Sequence, residues 1–127
     1  MKITVVGIGY VGLANAILLS QKNKVIAYDI DHRKISLLKK KISPLEDQLA
    51  EEYLKNKDLD LTPSSNENFA FKEVELFIIS TPTNYDEKSN YFDTSTVEKC
   101  IEIAMKKSPS ATILIKSTVP VGFTKRI

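Results

Sequence analysis

One cysteine, one histidine and almost no excess of charge leave little room for several classes of function. With Cys100 alone, an internal disulfide and a cysteine-based zinc cage are both excluded. The sole histidine, His32, stands at a predicted helix start and reads as a surface residue rather than a base. No metal cluster and no exposed thiol are expected. No apolar run approaches the roughly 18 residues that a membrane helix needs, so no membrane partner is expected. The opening Met-Lys-Ile enters a strand pattern at once and leaves no room for a signal peptide, which gives the expectation of a cytoplasmic chain. Lys and Arg number 18 against 16 Asp and Glu, a net charge of +2, too weak to imply a nucleic-acid surface. Lys39-Lys40-Lys41 reads as the solvated end of a helix. What is present is ordinary for one globular domain: 127 residues, 43% hydrophobic and 27% charged, enough to bury a core.

Lys2 to Gly12, KITVVGIGYVG, is the most informative stretch. Ile3-Thr4-Val5-Val6 is mostly β-branched and predicts a buried strand. It runs into Gly7-x-Gly9-x-x-Gly12, with a helical pattern from Tyr10 onward. Gly7 permits a tight turn, Gly9 lets the backbone approach a pyrophosphate, and Gly12 lets the helix pack closely on the strand. Free N–H groups and the positive end of the helix dipole suit a doubly charged phosphate bridge.

Residues Tyr10 to Gln21 carry Val11, Leu13, Ala14, Ile17 and Leu18 as an apolar face at helical spacing, and Asn23 turns the chain. Lys24 to Ile30 predicts a second strand, so strand, helix and strand fit the roughly 30 residues of a βαβ unit with parallel strands. Asp29 ends that strand, 22 positions beyond Gly7, matching the roughly 20-residue spacing of the acid that binds an adenosine ribose. A carboxylate there repels the 2′-phosphate of NADP and argues for NAD. Arg33 and Lys34 point the other way, but a fixed carboxylate outweighs two long, flexible cations. The competing role for Asp29 is to cap the next helix, which Asp31 could do equally well.

His32 to Lys41 predicts a second helix, with Ile35, Leu38 and Ile42 inward and Ser43-Pro44 as its breaker. Glu46 to Lys57 predicts a third, with Leu49, Tyr53 and Leu54 on its apolar side. Leu59 to Thr62 reads as an edge strand, and Ser64 or Ser65 as the cap of a brief helix through Phe69 and Phe71. Glu75 to Ser80 is a further buried strand, followed by a loop from Thr81 through Phe92. Asp93 or Thr94 then caps a helix holding Val97, Cys100, Ile101, Ile103, Ala104 and Met105, in which Cys100 packs rather than reacts. Ala111 to Ile115 is the last strand and ends in Lys116-Ser117-Thr118. Three strand ends, Gly7–Gly12, Ser80–Thr83 and Ser117–Thr118, thus carry small or hydroxylated residues and would line one crevice of a doubly wound sheet.

KITVVGIGYVGL, YDID, STPT and KSTVPVGFT, in this order and at these intervals, resemble the N-terminal domain of the UDP-glucose/GDP-mannose dehydrogenase family. The resemblance covers essentially all 127 residues. SPLEDQLAEEYL and PTNYDEKSNYFDTSTVE look most like the bacterial UDP-glucose 6-dehydrogenases within it. Pro44-Leu45-Glu46-Asp47-Gln48-Leu49 lacks the glycine of the family's Pro-x-x-Glu-x-Gly-Leu pattern, which bears on the sugar nucleotide. The fold implied is a Rossmann, doubly wound, mostly parallel sheet flanked by helices, in the order 3-2-1-4-5, with a sixth strand past Ile127.

The resemblance further implies oxidation of UDP-glucose, or a related sugar nucleotide, to the uronate with two NAD, in polysaccharide biosynthesis and as a homodimer of the full-length enzyme. Carried over motif by motif, Gly7, Gly9 and Gly12 hold the pyrophosphate, with Tyr10 and Val11 adding backbone N–H groups. Asp29 binds the adenosine ribose with Lys34 beside it, and Thr83 lies along the cofactor. Thr118 sits near the nicotinamide and the water of the second half-reaction, as the only catalytic candidate. The family's catalytic cysteine and its helpers fall outside residues 1–127. The expectation is therefore an NAD-binding domain, lacking the central helix and substrate domain, that is inactive alone. The competing readings are a stand-alone module that senses NAD(H), and a related hydroxyacid dehydrogenase, which would lack STPT and KSTVPVG.

Overall fold

The computed structural model describes residues 1–81, 84–86, 91–93 and 95–116, with backbone only at 84–86, 91–93 and 95. Its elements in chain order are β1 (Lys2–Val6), α1 (Tyr10–Ser20), β2 (Lys24–Tyr28), α2 (His32–Lys39), α3 (Gln48–Asn56), β3 (Leu61–Ser64), α4 (Glu67–Phe71), β4 (Leu76–Ile79), β5 (Asn84–Asp86), β6 (Tyr91–Asp93), α5 (Ser95–Lys107) and β7 (Thr112–Ile115). Five strands form one parallel sheet in the order β3-β2-β1-β4-β7. The expected topology is present, with β7 as the fifth strand. β1 is central, and the strand order reverses between β1 and β4, which opens a crevice at their carboxyl ends.

Parallel strands covered on both faces need apolar side chains pointing both ways. Ile3, Val5, Val25, Ala27 and Ile78 pack against Leu13, Ala16 and Ile17 of α1, Leu38 of α2, and Ala50 and Leu54 of α3. Val6, Ile26, Tyr28, Phe77 and Ile79 pack on the other face against α4, Val74 and α5. Phe71 centres that second layer, with its ring centroid 5.2 Å from those of Tyr28 and of Phe77. Thr4 sits among these residues at no cost in unmet hydrogen bonding, because its Oγ1 donates to the Ala70 carbonyl at 2.6 Å. Ser108 is also buried, donating to Phe71 O at 2.7 Å and accepting from Val74 N at 3.0 Å. It ties the end of α5 to the α4–β4 connection.

Several boundaries differ from the sequence reading, each for a local reason. α2 stops at Lys39, ahead of Ser43-Pro44, because Lys41 takes the left-handed conformation (φ 61°) and turns the chain. Ile42 is consequently exposed rather than inward. α3 meets the core through Ala50 and Leu54, which puts the adjacent Leu49 outside at 63% exposure. Val11 and Leu18 likewise face out from α1. β3 lies at Leu61–Ser64, two residues later than expected, and accommodates Pro63 because it is an edge strand. Asn66, and neither serine, caps α4, its Oδ1 accepting from Phe69 N at 3.1 Å. The segment read as loop through Phe92 contains an antiparallel ribbon, β5 with β6, in which Tyr85 stands opposite Phe92. Tyr85, Tyr91 and Phe92 are strand-favouring residues. The expected caps Asp93 and Thr94 lie outside the described side chains. Among the described residues, no helix is long and apolar enough to cross a membrane.

Candidate functional site

Three strand ends meet where the sheet order reverses. β1 leaves through Gly7, whose φ of +93° is strained for any residue with a Cβ. A Cβ on Gly7 would also lie 2.8 Å from Thr81 N and 2.9 Å from Ser80 O. A Cβ on Gly12 would lie 1.9 Å from the Gly7 carbonyl oxygen. These two glycines are therefore required by contact between the turn, α1 and β4. Gly9 is different, since nothing lies within 4 Å of where its Cβ would stand. Removing that Cβ does nothing for the protein's own packing and leaves space for a group brought from outside.

α1 begins beside that space. Its N-terminal residue, Gly9, supplies no side-chain cap, and no acidic residue lies in its first turn. The first bond back into the turn is Leu13 N to Gly9 O at 2.9 Å, so the N–H groups of Tyr10, Val11 and Gly12 precede the helical ladder. The Tyr10 and Val11 side chains are themselves exposed, at 58% and 50%. By contrast, Asp31, Asp47 and Asn66 cap α2, α3 and α4 with their own oxygens. The positive end of α1 thus has neither a side-chain cap nor an acid in its own first turn, next to an open backbone. That combination fits a pyrophosphate.

Asp29 follows β2 at the same edge. Its Oδ2 accepts from Ile8 N of the glycine turn at 2.8 Å, and its Oδ1 accepts from Asp31 N at 2.9 Å. Asp31, not Asp29, caps α2 by accepting from Arg33 N at 3.0 Å. Each Asp29 oxygen retains further acceptor capacity, so the carboxylate is fixed by two backbone donors and still able to receive hydroxyl groups. Lys34 is half-exposed in the first turn of α2. His32 is exposed at that helix start, with Nδ1 2.9 Å from Ser65 Oγ, which links the β2 and β3 ends.

Ser80 does not face a ligand, as its place after a strand suggested. Its hydroxyl lies 2.9 Å from Gly7 O and 3.1 Å from Val6 O, donating inward to the glycine turn. Beside Asp29, an opening of about 350 Å³ is lined by Tyr28, Ile30, Phe71, Thr96, Cys100 and Ile103. The sequence reading missed it because it joins β2, α4 and α5, which are remote in the chain. The one local signal is Ile30, an apolar residue 79% exposed directly after Asp29. Burial pushes the Cys100 thiol up to about 11, with Lys99 opposing and Glu67 adding to the rise, so it is protonated near neutrality. Burial also raises the Tyr28 hydroxyl, helped by Glu67, Cys100 and Asp29. Thr83 and Thr118 lie outside the described residues. Lys116 is exposed, and its backbone N–H extends the β4 pairing to Ile79 O at 2.8 Å. No group of three metal-binding side chains occurs among the described residues.

Comparison with known proteins gives a consistent result. The UDP-glucose/GDP-mannose dehydrogenase family, NAD binding domain, matches residues 1–127. A UDP-glucose 6-dehydrogenase of Streptococcus pneumoniae is 44% identical over 127 residues, covering 100% of this chain and 32% of that protein. One from Campylobacter jejuni is 43% identical over 129 residues, covering 100% of this chain and 33% of that protein. Among solved structures, a UDP-D-ManNAc dehydrogenase from Pyrococcus horikoshii superposes with a TM-score of 0.87 at 26% identity, covering 99% of this chain and 30% of that one. The chain spans about a third of the length of these two relatives.

Proposed function

The chain belongs to the UDP-glucose/GDP-mannose dehydrogenase family as its NAD binding domain, and from that premise we propose that residues 1–127 hold the cofactor of a longer UDP-glucose 6-dehydrogenase. The whole enzyme would oxidise the primary alcohol of UDP-glucose to the carboxylate of UDP-glucuronate, consuming two NAD. We assign Gly7, Gly9 and Gly12, with the Tyr10 and Val11 N–H groups, to the pyrophosphate, and Asp29, with Lys34 nearby, to the adenosine ribose. Thr83 and Thr118 are proposed for the nicotinamide side, Thr118 near the reacting water. The opening beside Asp29, largely apolar but with Glu67 and Lys99 also on its lining, suits an adenine ring. NAD, when bound, supplies the hydride acceptor, and the chain's own residues bind and orient it.

The observation that carries this reading is the open backbone at Gly9 in front of the uncapped start of α1. UDP-glucose is favoured over other sugar nucleotides by the relatives at 43–44% identity. The missing glycine after Glu46 keeps a UDP-N-acetyl-hexosamine or GDP-mannose as the second reading. A substrate domain outside residues 1–127, a homodimeric whole enzyme, a cytoplasmic location and a role in polysaccharide biosynthesis belong to the same proposal. Calorimetric titration tests its core. Saturable binding of NAD, weakened about tenfold or more in Asp29→Ala and much weaker for NADP in the wild type, is expected. Absence of NAD binding by the wild-type chain would overturn the reading.

A further inference from the structure

Ser80 reaches the glycine turn from β4 and bonds the peptide on which the phosphate-facing backbone depends. The Gly7–Ile8 peptide is held at both ends by side chains from other strand ends. Its carbonyl accepts from Ser80 Oγ at 2.9 Å, and its N–H donates to Asp29 Oδ2 at 2.8 Å. The preceding N–H, of Gly7, donates to Tyr28 O at 2.9 Å. Gly7 and Ile8 are both buried, and the Gly7 carbonyl points under α1 at Gly12. A buried carbonyl in that place needs a donor, and the serine hydroxyl is the side-chain donor that reaches it.

We propose that Ser80 is a positioning residue for the dinucleotide pyrophosphate, acting through the Gly7–Ile8 peptide; this rests on the NAD reading above. With the hydroxyl in place, the carbonyl faces inward and the next N–H groups, at Gly9 and in the first turn of α1, present an all-donor surface. Without it, the Gly7 carbonyl loses its donor, and rotation of the peptide toward water relieves it. That rotation pulls Ile8 N away from Asp29 and turns a carbonyl oxygen toward the phosphate side, where it repels an anion. Asp29 thereby has two duties, one on the turn and one on the ribose, whereas Ser80 acts on the protein backbone, at Gly7 O and, at the longer distance of 3.1 Å, Val6 O.

The test compares affinities for NAD, ADP-ribose and adenosine in the wild type and in Ser80→Ala, Ser80→Thr and Ser80→Cys. NAD and ADP-ribose carry the pyrophosphate, and adenosine does not. In Ser80→Ala the first two are expected to bind about tenfold more weakly while adenosine changes less than about twofold. Ser80→Thr, which keeps the hydroxyl, should recover most of the loss. Ser80→Cys, with only a weak S–H donor, should fall between them and serves if the alanine variant does not fold. Equal weakening of all three ligands would make Ser80 merely structural and overturn the proposal. So would unchanged NAD affinity in Ser80→Ala. Failure of the wild type to bind NAD would instead remove the underlying reading, so the two failures are distinguishable.

Discussion

The three glycines of the turn are not equivalent, and single alanine substitutions separate folding from binding. At Gly12 a methyl would sit 1.9 Å from a backbone oxygen, a clash that no side-chain movement relieves. Gly12→Ala is expected to cost several kcal/mol, about 3 or more, and to lower the thermal midpoint sharply. At Gly9 the methyl enters open space, so Gly9→Ala should cost about 1 kcal/mol or less, the ordinary difference at a helix N-cap. The same methyl stands where the phosphates approach, and NAD affinity should drop by about 100-fold. Thermal melting and NAD titration of the two variants check both expectations. A Gly9→Ala protein with intact affinity would move the cofactor elsewhere. The glycine spacing was legible in the sequence, as was Asp29, because both belong to one local βαβ unit. The division of labour among the glycines was legible as well, as turn, open approach and close packing; the groups that press on Gly7, from Ser80 and Thr81, were not, since they lie more than 70 positions away in the chain.

Among the elements, helix ends are where sequence and structure part most. The sequence patterns located the five helices among the described residues, but α2 ends at Lys39 because Lys41 takes the left-handed conformation, a state no propensity pattern announces. α4 starts on Asn66, one of three adjacent residues able to cap, and only the tertiary position of β3 chooses among them. Leu49 shows the same limit, one step round the helix from Ala50, which takes the buried place. Lys41 also gives an element-scale expectation. Lys41→Gly should stabilise the α2–α3 connection by about 0.5–1 kcal/mol, because glycine adopts φ 61° without the Cβ penalty. A rise in the urea midpoint with an unchanged slope would confirm it; a fall would show that unfolded-chain entropy outweighs the relief of strain.

For the whole molecule, the expectation concerns what the chain does unaided. Covalent oxidation of an aldehyde needs an activated thiolate, and the single cysteine is held protonated by burial, its thiol pushed up to about 11. Residues 1–127 should bind NAD and yet produce no NADH with UDP-glucose in a turnover assay; steady NADH production would sink the division of labour proposed above. The site itself is assembled from three strand ends that parallel topology separates in sequence. β1 pairs with β4 through Ile3 and Leu76 to Val6 and Ile79, and Gly7 waits on Ser80 for its donor. A polypeptide emerging from the ribosome therefore exposes its glycine turn early and completes it late, once Ser80, 73 residues further on, has been made. Until then the most phosphate-like-seeking part of the chain is an unfinished bend, and recognition of the cofactor is tied to closing the longest loop of the sheet.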